Sequence, residues 1–311
     1  MRYIKLLLFL LPFISIAQKN NIEKIKTKFS IAPFYAKEYS YLSIHNRGKN
    51  SSDILYYPNI SGVVGAHVFY KFIGISLAFK LPKSSDYPDT KMIKIQLNLT
   101  GNKLGFAILY NRYKGLYLYN NDDFLVSDKI NFPQMTLAYF RMSSQYIFSK
   151  RFSYKAAFKQ SERQKKSAGS FLILANNTFT SLSNDASFIP FSEKVNYPKS
   201  YDINLIKSNT FNMALGYAYT FVISKYFSAT TVLAGGLGLH FKQYFSGNIP
   251  HFSTRLPWYI YSKSAIGYNG DHFFCNISYT YDYNNIRFTE SDFNIIRNFL
   301  KLSVGYRIIK S

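Results

Sequence analysis

Residues 210–223 alternate without a break. Phe211, Met213, Leu215, Tyr217, Tyr219, Phe221 and Ile223 are large and apolar, while Thr210, Asn212, Ala214, Gly216, Ala218 and Thr220 are small or polar. Successive side chains of a strand point to opposite faces, so the run predicts a strand with one greasy face. Residues 227–242 repeat the pattern, with Phe227, Leu233, Leu237, Leu239 and Phe241 opposing Ser228, Thr230, Gly236, Gly238, His240 and Lys242. In 272–284, Phe273, Cys275, Ile277, Tyr279, Tyr281 and Tyr283 oppose His272, Asn276, Ser278, Thr280, Asp282 and Asn284. Near the end, Leu300, Leu302, Val304, Tyr306 and Ile308 oppose Lys301, Ser303, Gly305 and Arg307.

Each run is about the length that crosses a bilayer as a tilted strand. In a soluble sandwich the greasy face points inward and the other meets water, where Lys, Glu and Thr dominate. Here the second face is Gly, Ala, Ser, Asn and Thr, which suits a narrow polar lumen with the greasy face toward lipid. The fold class expected is therefore all-β, a transmembrane antiparallel up-and-down β-barrel. Strand candidates are 29–46, 54–70, 73–81, 91–99, 104–119, 133–147, 152–161, 168–179, 209–222, 227–242, 256–268, 272–287 and 296–309, which is thirteen. Single-chain bacterial barrels have an even number. Tight turns at Lys71-Phe72, Gly101-Asn102, Ser149-Lys150, Ser224-Lys225 and Asn269-Gly270 alternate with long loops near 82–90, 120–132, 182–208, 243–255 and 288–295 only if 152–179 is one passage. The interruption 161–170 is then a bulge or a fold-in of an overlong strand. The expected count is about 12 strands, in a range of 10–14, with both termini periplasmic.

The start of the chain sets the compartment. Arg2 and Lys5 precede an apolar run from Leu6 to Phe13, and Ser15-Ile16-Ala17 supplies small residues for cleavage. Residues 1–18 read as a secretory signal peptide, because the run is too short for a spanning helix, which needs about 20 residues. Residues 19–28 form a short polar segment, and 29–311 the barrel. The expected location is the outer membrane. Aromatics are 19% of the chain, with 28 Tyr and 29 Phe against one Trp, and Tyr suits a membrane–water interface. The lone Cys275 excludes an internal disulfide and reads as a small apolar strand residue.

Charge narrows the partners. The chain has 38 Lys+Arg against 16 Asp+Glu, a net +22, and loss of Arg2 and Lys5 with the leader leaves about +20. Nucleic acid is excluded by export. Anionic solutes, outer-membrane lipids including lipopolysaccharide, and envelope protein partners remain.

The run Phe152-Ser153-Tyr154-Lys155-Ala156-Ala157-Phe158, then Gln160, then Gln164-Lys165-Lys166-Ser167-Ala168-Gly169-Ser170-Phe171-Leu172, resembles a Gram-negative envelope family, domain of unknown function 4421. Tyr113-Lys114-Gly115-Leu116-Tyr117 and Tyr57-Pro58-Asn59 resemble it too. The resemblance implies an uncharacterised outer-membrane β-barrel and brings no catalytic residues.

Alternation assigns faces to the charges. Lys80, Lys94, Lys155, Lys159, Arg163, Lys165, Lys242, Lys301 and Arg307 are expected on the lumen side, with Asp282 the comparable acid. Charges in a narrow lumen need water, a counter-ion or a ligand. They therefore suggest an anion-favouring lumen, or a lumen packed by its own side chains. On 104–119, Leu104, Phe106, Ile108 and Tyr110 face lipid, and Arg112 and Lys114 continue that face to headgroup level.

Enzyme chemistry finds little support. His251-Phe252-Ser253 has the His-x-Ser spacing of lipid A deacylase barrels, but it lies between Pro250 and Pro257 and lacks that family's following Asn-Gly-Gly and spaced Glu. His67 and His240 read as lumen polar residues, and His45 and His272 as turn or strand-end residues. Neither a metal cluster nor a phosphate loop is legible, so no cofactor is implied. The reading is a non-enzymatic barrel with a basic lumen, porin-like or a platform. An envelope assembly or secretion-machine partner is the second reading, and a lipid-modifying enzyme the third.

Overall fold

The computed structural model describes residues 21–48, 53–82, 89–119, 131–246, 249–288 and 291–309. The expected signal peptide, 1–18, lies outside them. The strands are β1 (Ile22–Lys24), β2 (Thr27–Asn46), β3 (Ile54–Pro58), β4 (Ile60–Tyr70), β5 (Ile73–Pro82), β6 (Lys91–Thr100), β7 (Leu104–Tyr119) and β8 (Asn131–Ile147). One helix, α1 (Tyr154–Phe158), follows, then β9 (Glu162–Gln164), β10 (Ala168–Ser183), β11 (Ile203–Val222), β12 (Phe227–Ser246), β13 (Ile249–Arg255), β14 (Trp258–Asn269), β15 (Phe273–Arg287) and β16 (Ser291–Ile309).

Twelve of these close into one antiparallel barrel, in the order β2, β4, β5, β6, β7, β8, β10, β11, β12, β14, β15, β16 and back to β2. Closure removes every sheet edge, which a lipid-facing sheet requires. The short connections and both described ends of the chain lie at one rim, the turn end. The long connections lie at the other, the loop end. The strands differ in height: β4, β5 and β6 span 10 or 11 residues, while β2, β11 and β12 span 20. Above the three short strands β3 bridges β2 and β7, pairing Tyr56 with Leu42 and Tyr57 with Tyr117. Asn59 separates β3 from β4, so 54–70 is two strands rather than one.

The alternation read from sequence is the alternation of the wall. Leu215 is 68% exposed and Phe273 63%, and the facing strands present Phe227, Leu233, Ile277, Leu300 and Leu302 to the same exterior. A water-soluble protein rarely exposes apolar patches beyond a few hundred Å², and here the apolar band runs around the barrel. Lipid is the solvent that fits it. No described helix is long and apolar enough to cross a membrane.

One expected strand is absent. Residues 152–161 are not strand but carry α1, and the 20-residue stretch 148–167 between β8 and β10 folds back into the barrel from the turn end. That removes the thirteenth strand and leaves twelve. Face assignments made by alternation in 152–165 therefore do not hold. The last loop is also shorter than expected, because β16 begins at Ser291 rather than near 296.

Candidate functional site

The loop end is closed by apolar packing. Leu42, Ile44, Tyr56, Met135, Leu137, Leu182, Ile206, Phe293 and Ile295 point inward from the tall parts of the wall and form one core. The 184–202 loop drops Phe188, Ile189 and Tyr197 into it, all buried. The Tyr56 hydroxyl donates to Phe188 O at 2.5 Å, and Tyr197 to Ile44 O at 3.2 Å, so the buried polar tips are satisfied. Phe293 stacks edge-on against Phe188 and lies 4.9 Å from Phe288.

The turn end is closed by the folded-in insert. Ser153 caps α1, its hydroxyl accepting from Ala156 N at 3.0 Å and donating to Glu162 at 2.6 Å. The helix packs on the inner faces of β12 and β14. Those faces and that of β11 carry Ala214, Ala218 and Ala234, which belong to the same buried cluster as Phe152, with Tyr154 and Phe158 packed on it. Small residues on the inner face thus make room for a helix, in addition to lining a polar lumen. At Gly236 a Cβ would lie 1.9 Å from Met213 O, so only glycine fits there.

The family-like run 164–170 holds this insert in place. Gln164 accepts from Ser153 N at 3.0 Å and donates to Arg151 O at 2.7 Å and Lys166 O at 2.9 Å. Ser167 accepts from Val222 N and Ser170 from Ser149 N, both at 2.9 Å, where β10 joins the wall. Lys165 and Lys166 are exposed, while Ala168 and Ser170 are buried and Gly169 half-buried. β9 pairs with β1, so residues 22–24 of the polar N-terminal segment clamp the insert.

Two arginines pin it further. Arg163 donates to Glu23 at 2.9 Å, Asp271 at 2.6 Å and Asn269 O at 3.0 Å. The guanidinium's hydrogen bond holds the Asp271 carboxyl below its ordinary range, slight burial opposing. Arg307, 1% exposed, donates to Gly270 O at 2.7 Å, Gln160 O at 2.5 Å and Asn269 Oδ1 at 2.8 Å. Gln160 itself turns the chain back with φ 56, a left-handed conformation uncommon outside glycine.

Between the closures lies a chamber of about 250 Å³. Its loop-side belt is built of ion pairs. Glu38 accepts from Lys94 at 2.9 Å, Tyr113 at 2.8 Å and Ser40 at 3.1 Å. Asp282 takes both Arg141 and Arg297, and Arg297 lies over the Tyr139 ring at 4.7 Å. Nearer the insert stand Lys159, Lys263 and Lys301 with His67. Lys301 Nζ meets His67 Nε2 at 3.0 Å, and the other ring nitrogen of His67 pairs with Ser76. These three lysines have no ion pair among the described residues; each rests over a ring, Lys159 over Phe69, Lys263 over Phe158 and Lys301 over Phe34. The chamber is lined by six basic side chains (Lys94, Arg141, Lys159, Lys263, Arg297, Lys301) and two carboxylates (Glu38, Asp282), an excess of four basic groups. Uncompensated charge in a low dielectric is costly, so this geometry favours an anion.

The residues expected in the lumen sort into three groups. Lys94, Lys242, Lys301 and Arg307 point inward from the wall, with Lys242 buried over the Phe288 ring at 3.7 Å. Lys80 is inward at the loop rim, paired with Asp89. Lys155, Lys159 and Arg163 ride on the insert, where Lys159 reaches the chamber, Lys155 donates to Asn102 at 2.8 Å and Arg163 serves as the pin. Lys165 is a correction: it is solvent-exposed at the turn end, because the insert is not a strand. Sequence reasoning passed over Glu38, Arg141, Lys263 and Arg297, although carrying the alternation from Lys301 to Arg297 and from Tyr261 to Lys263 finds two of them. Arg112 and Lys114 lie on the outer face near the loop end. His251 stacks on Tyr244 at 5.0 Å. Among the described residues no group of His, Cys, Asp and Glu is arranged to hold a metal.

The sequence matches the family described as Domain of unknown function (DUF4421) over residues 19–308. The chain belongs to the DUF4421 family. The resemblance carried by residues 152–172 thus extends over nearly the whole chain. No curated protein matches the sequence significantly. Among solved structures, this DUF4421 chain is similar to the outer-membrane protease OmpT of Escherichia coli, at 8% identity and TM-score 0.38 over 91% of this chain and 98% of that one. It is also similar to the translocator domain of the autotransporter NalP of Neisseria meningitidis, at 10% identity and TM-score 0.38 over 90% and 89%. A third is Ail of Yersinia pestis, at 12% identity and TM-score 0.24 over 91% and 100%. The DUF4421 chain folds as a closed antiparallel β-barrel of 12 strands.

Proposed function

We propose that this DUF4421 protein is a non-enzymatic barrel of the outer membrane whose interior holds an anion behind two closures instead of conducting it freely. The observation that carries the reading is the chamber's positive excess, centred on Lys159, Lys263 and Lys301, which lack acid partners while every nearby carboxylate is taken. The loop-end core argues for retention over flux, since an open pore would not bury Phe188, Tyr197 and Phe293 across its bore. Access is from the turn end, where the closure is polar and the chain can swing out.

The test is the unfolding midpoint of the refolded mature chain in micelles, titrated with sulfate and phosphate against chloride at fixed ionic strength. Saturable stabilisation is expected, reaching about 2.7 kcal/mol at a hundredfold excess over Kd, and absent in Lys159→Gln/Lys263→Gln. In planar bilayers the wild type stays silent. Steady cation-selective openings, or a midpoint blind to oxyanions, sink the reading.

A second reading, an envelope assembly partner, is favoured by one feature. Phe191 and Val195 at the tip of the 184–202 loop are 80% and 88% exposed. Crosslinking at Val195 in the intact envelope followed by co-purification distinguishes a docked loop from a bare one.

A further inference from the structure

The outer wall carries a site that the chamber does not explain. Near the loop end, one hydrogen-bonded row crosses six strands on the lipid side. Arg112 pairs with Ala138, Ala138 with Ser181, Ser181 with Lys207, Lys207 with Gln243, and Gln243 with Phe252. The two cations, both exposed, are separated by small residues. The row beneath it, toward the turn end, runs Tyr110, Phe140, Phe179, Asn209, Phe241. From Ala138 to Phe252 in the upper row and along the whole lower row, these residues line a groove of about 610 Å³ with phenylalanine walls and no Asp or Glu among its described lining residues, and Arg112 stands just beyond its β7 edge. That volume lies within the range of ligand-binding sites.

Two further observations point to a ligand. First, Lys91 stands directly opposite Lys114, with Arg112 one step below on the same face. Like charges opposite one another on a sheet repel, and a shared anion relieves them. The cationic row therefore has two poles, the Lys91–Arg112–Lys114 group beside the groove and Lys207 in its lining. Arg112 and Lys207 are three strands apart, about 14 Å at the strand spacing of the sheet. Second, the side-chain oxygens of Asn209 and Asn177 are buried and have no hydrogen-bond partner among the described residues. Both face outward below the cationic row; Asn209 lines the groove, while Asn177 lies one row deeper, outside its lining, opposite Phe211. An unsatisfied amide oxygen at that depth needs a donor from the ligand. A glycerophospholipid has only ester acceptors beneath its phosphate. A glycolipid with amide-linked, hydroxylated acyl chains has N–H and O–H donors there.

We propose that this groove binds a diphosphorylated, amide-linked acyl glycolipid of the lipid A class. One phosphate meets Lys91, Arg112 and Lys114, and the other meets Lys207. Donors at the head of the acyl chains satisfy Asn209 and Asn177, and the chains lie along Phe140, Phe179 and Phe241. Charge-assisted hydrogen bonds to phosphate set the register, and the aromatic rows fill the interface. The site depends on the loop end facing the outer leaflet, a placement that belongs to the reading above. Labelling of Val195→Cys on intact cells, in a Cys275→Ser background, reports that placement independently.

The experiment is native mass spectrometry of the refolded chain in micelles with purified diphosphoryl lipid A, monophosphoryl lipid A, phosphatidylglycerol and inorganic phosphate. Wild type is expected to retain one diphosphoryl lipid A at least tenfold more tightly than phosphatidylglycerol. Arg112→Gln/Lys207→Gln loses that at least tenfold, while Asn177→Leu/Asn209→Leu narrows the preference over phosphatidylglycerol. Lys207→Arg retains binding, and unchanged heat-modifiability shows that each variant is folded. Equal binding of phosphatidylglycerol, competition by inorganic phosphate at equal concentration, or undiminished lipid A binding by the double glutamine variant overturns the proposal.

Discussion

The two ends of this barrel are closed by opposite chemistry. At the loop end, Phe188, Tyr197 and Phe293 are buried in a dry core that spans the bore. At the turn end, the closure is a helix that sets Phe152, Tyr154 and Phe158 on a smaller apolar cluster and is pinned by Arg163, Arg307, Gln164 and Asn269 through hydrogen bonds to backbone and carboxylates. Burial of apolar area is non-directional and survives small shifts. A polar network is directional, and its charged pairs near water are worth little each. The first closure therefore behaves as permanent wall and the second as a fitted part that can be withdrawn. On the reading proposed above, the chamber of lysines without acid partners between them is entered from the polar side.

The contrast breaks most directly at the loop end. Phe293→Ala removes a ring with no exposure and is expected to cost about 3–5 kcal/mol. The loss is read from urea unfolding of the barrel in micelles and should not vary with the anion present. A loss under about 1 kcal/mol would mean the loop end relaxes, and that it is no wall.

In the chamber belt, Asp282→Asn leaves Arg141 and Arg297 facing each other without their shared carboxylate. Breaking a buried charged set costs about 3–5 kcal/mol. Unlike the phenylalanine variant, this one should recover part of its stability in sulfate, because an oxyanion can stand where the carboxylate stood. Identical deficits in sulfate and chloride would show that anions do not reach the chamber.

At the turn end, Arg307→Gln orphans acceptors on Gly270, Gln160 and Asn269. The expected loss is about 2–3 kcal/mol, and it should be local. Trypsin should cut the insert at Lys159, Arg163 or Lys165 well before the barrel unfolds. Loss of barrel and insert together would make the two closures one cooperative unit.

The wall was legible because its physics is local. Period-two alternation in 210–223, 227–242 and 296–309 is set by lipid on one side and a lumen on the other, and turn lengths settled the parity of the strands. The insert was not legible by the same rule. Residues 152–161 carry Tyr, Phe and Ala at spacings that suit a strand or a short helix equally, and only the room left by Ala214, Ala218 and Ala234 decides for the helix. The lumen charges split along that line. Lys94, Lys242, Lys301 and Arg307 sit on true strands and point inward, whereas Lys165, on the insert, faces solvent. Pairing was least visible of all, since Glu38 and Lys94 are 56 residues apart and Arg141 and Asp282 are 141 apart.

The smallest expected effect concerns pH and separates the ends most cleanly. The hydrogen bond from Arg163 holds the Asp271 carboxyl below its ordinary value, with slight burial opposing and the charges of Arg163, Lys225 and Arg307 helping. A carboxyl whose folded pKa is depressed contributes stability that is fully present above its unfolded pKa, about 3.9, and is lost as pH falls through the folded value. Acidification below about pH 4 should therefore loosen the pin on the insert while leaving the uncharged loop-end core untouched. Hydrogen exchange of amides 153–164, corrected for intrinsic rate, should accelerate between pH 6 and pH 3, while amides 188–206 stay protected. Asp271→Asn should exchange faster at pH 6 and lose most of that pH dependence. If the insert of Asp271→Asn still opens with acid as the wild type does, another group governs the turn end, and Glu23, which shares Arg163, is the next to neutralise.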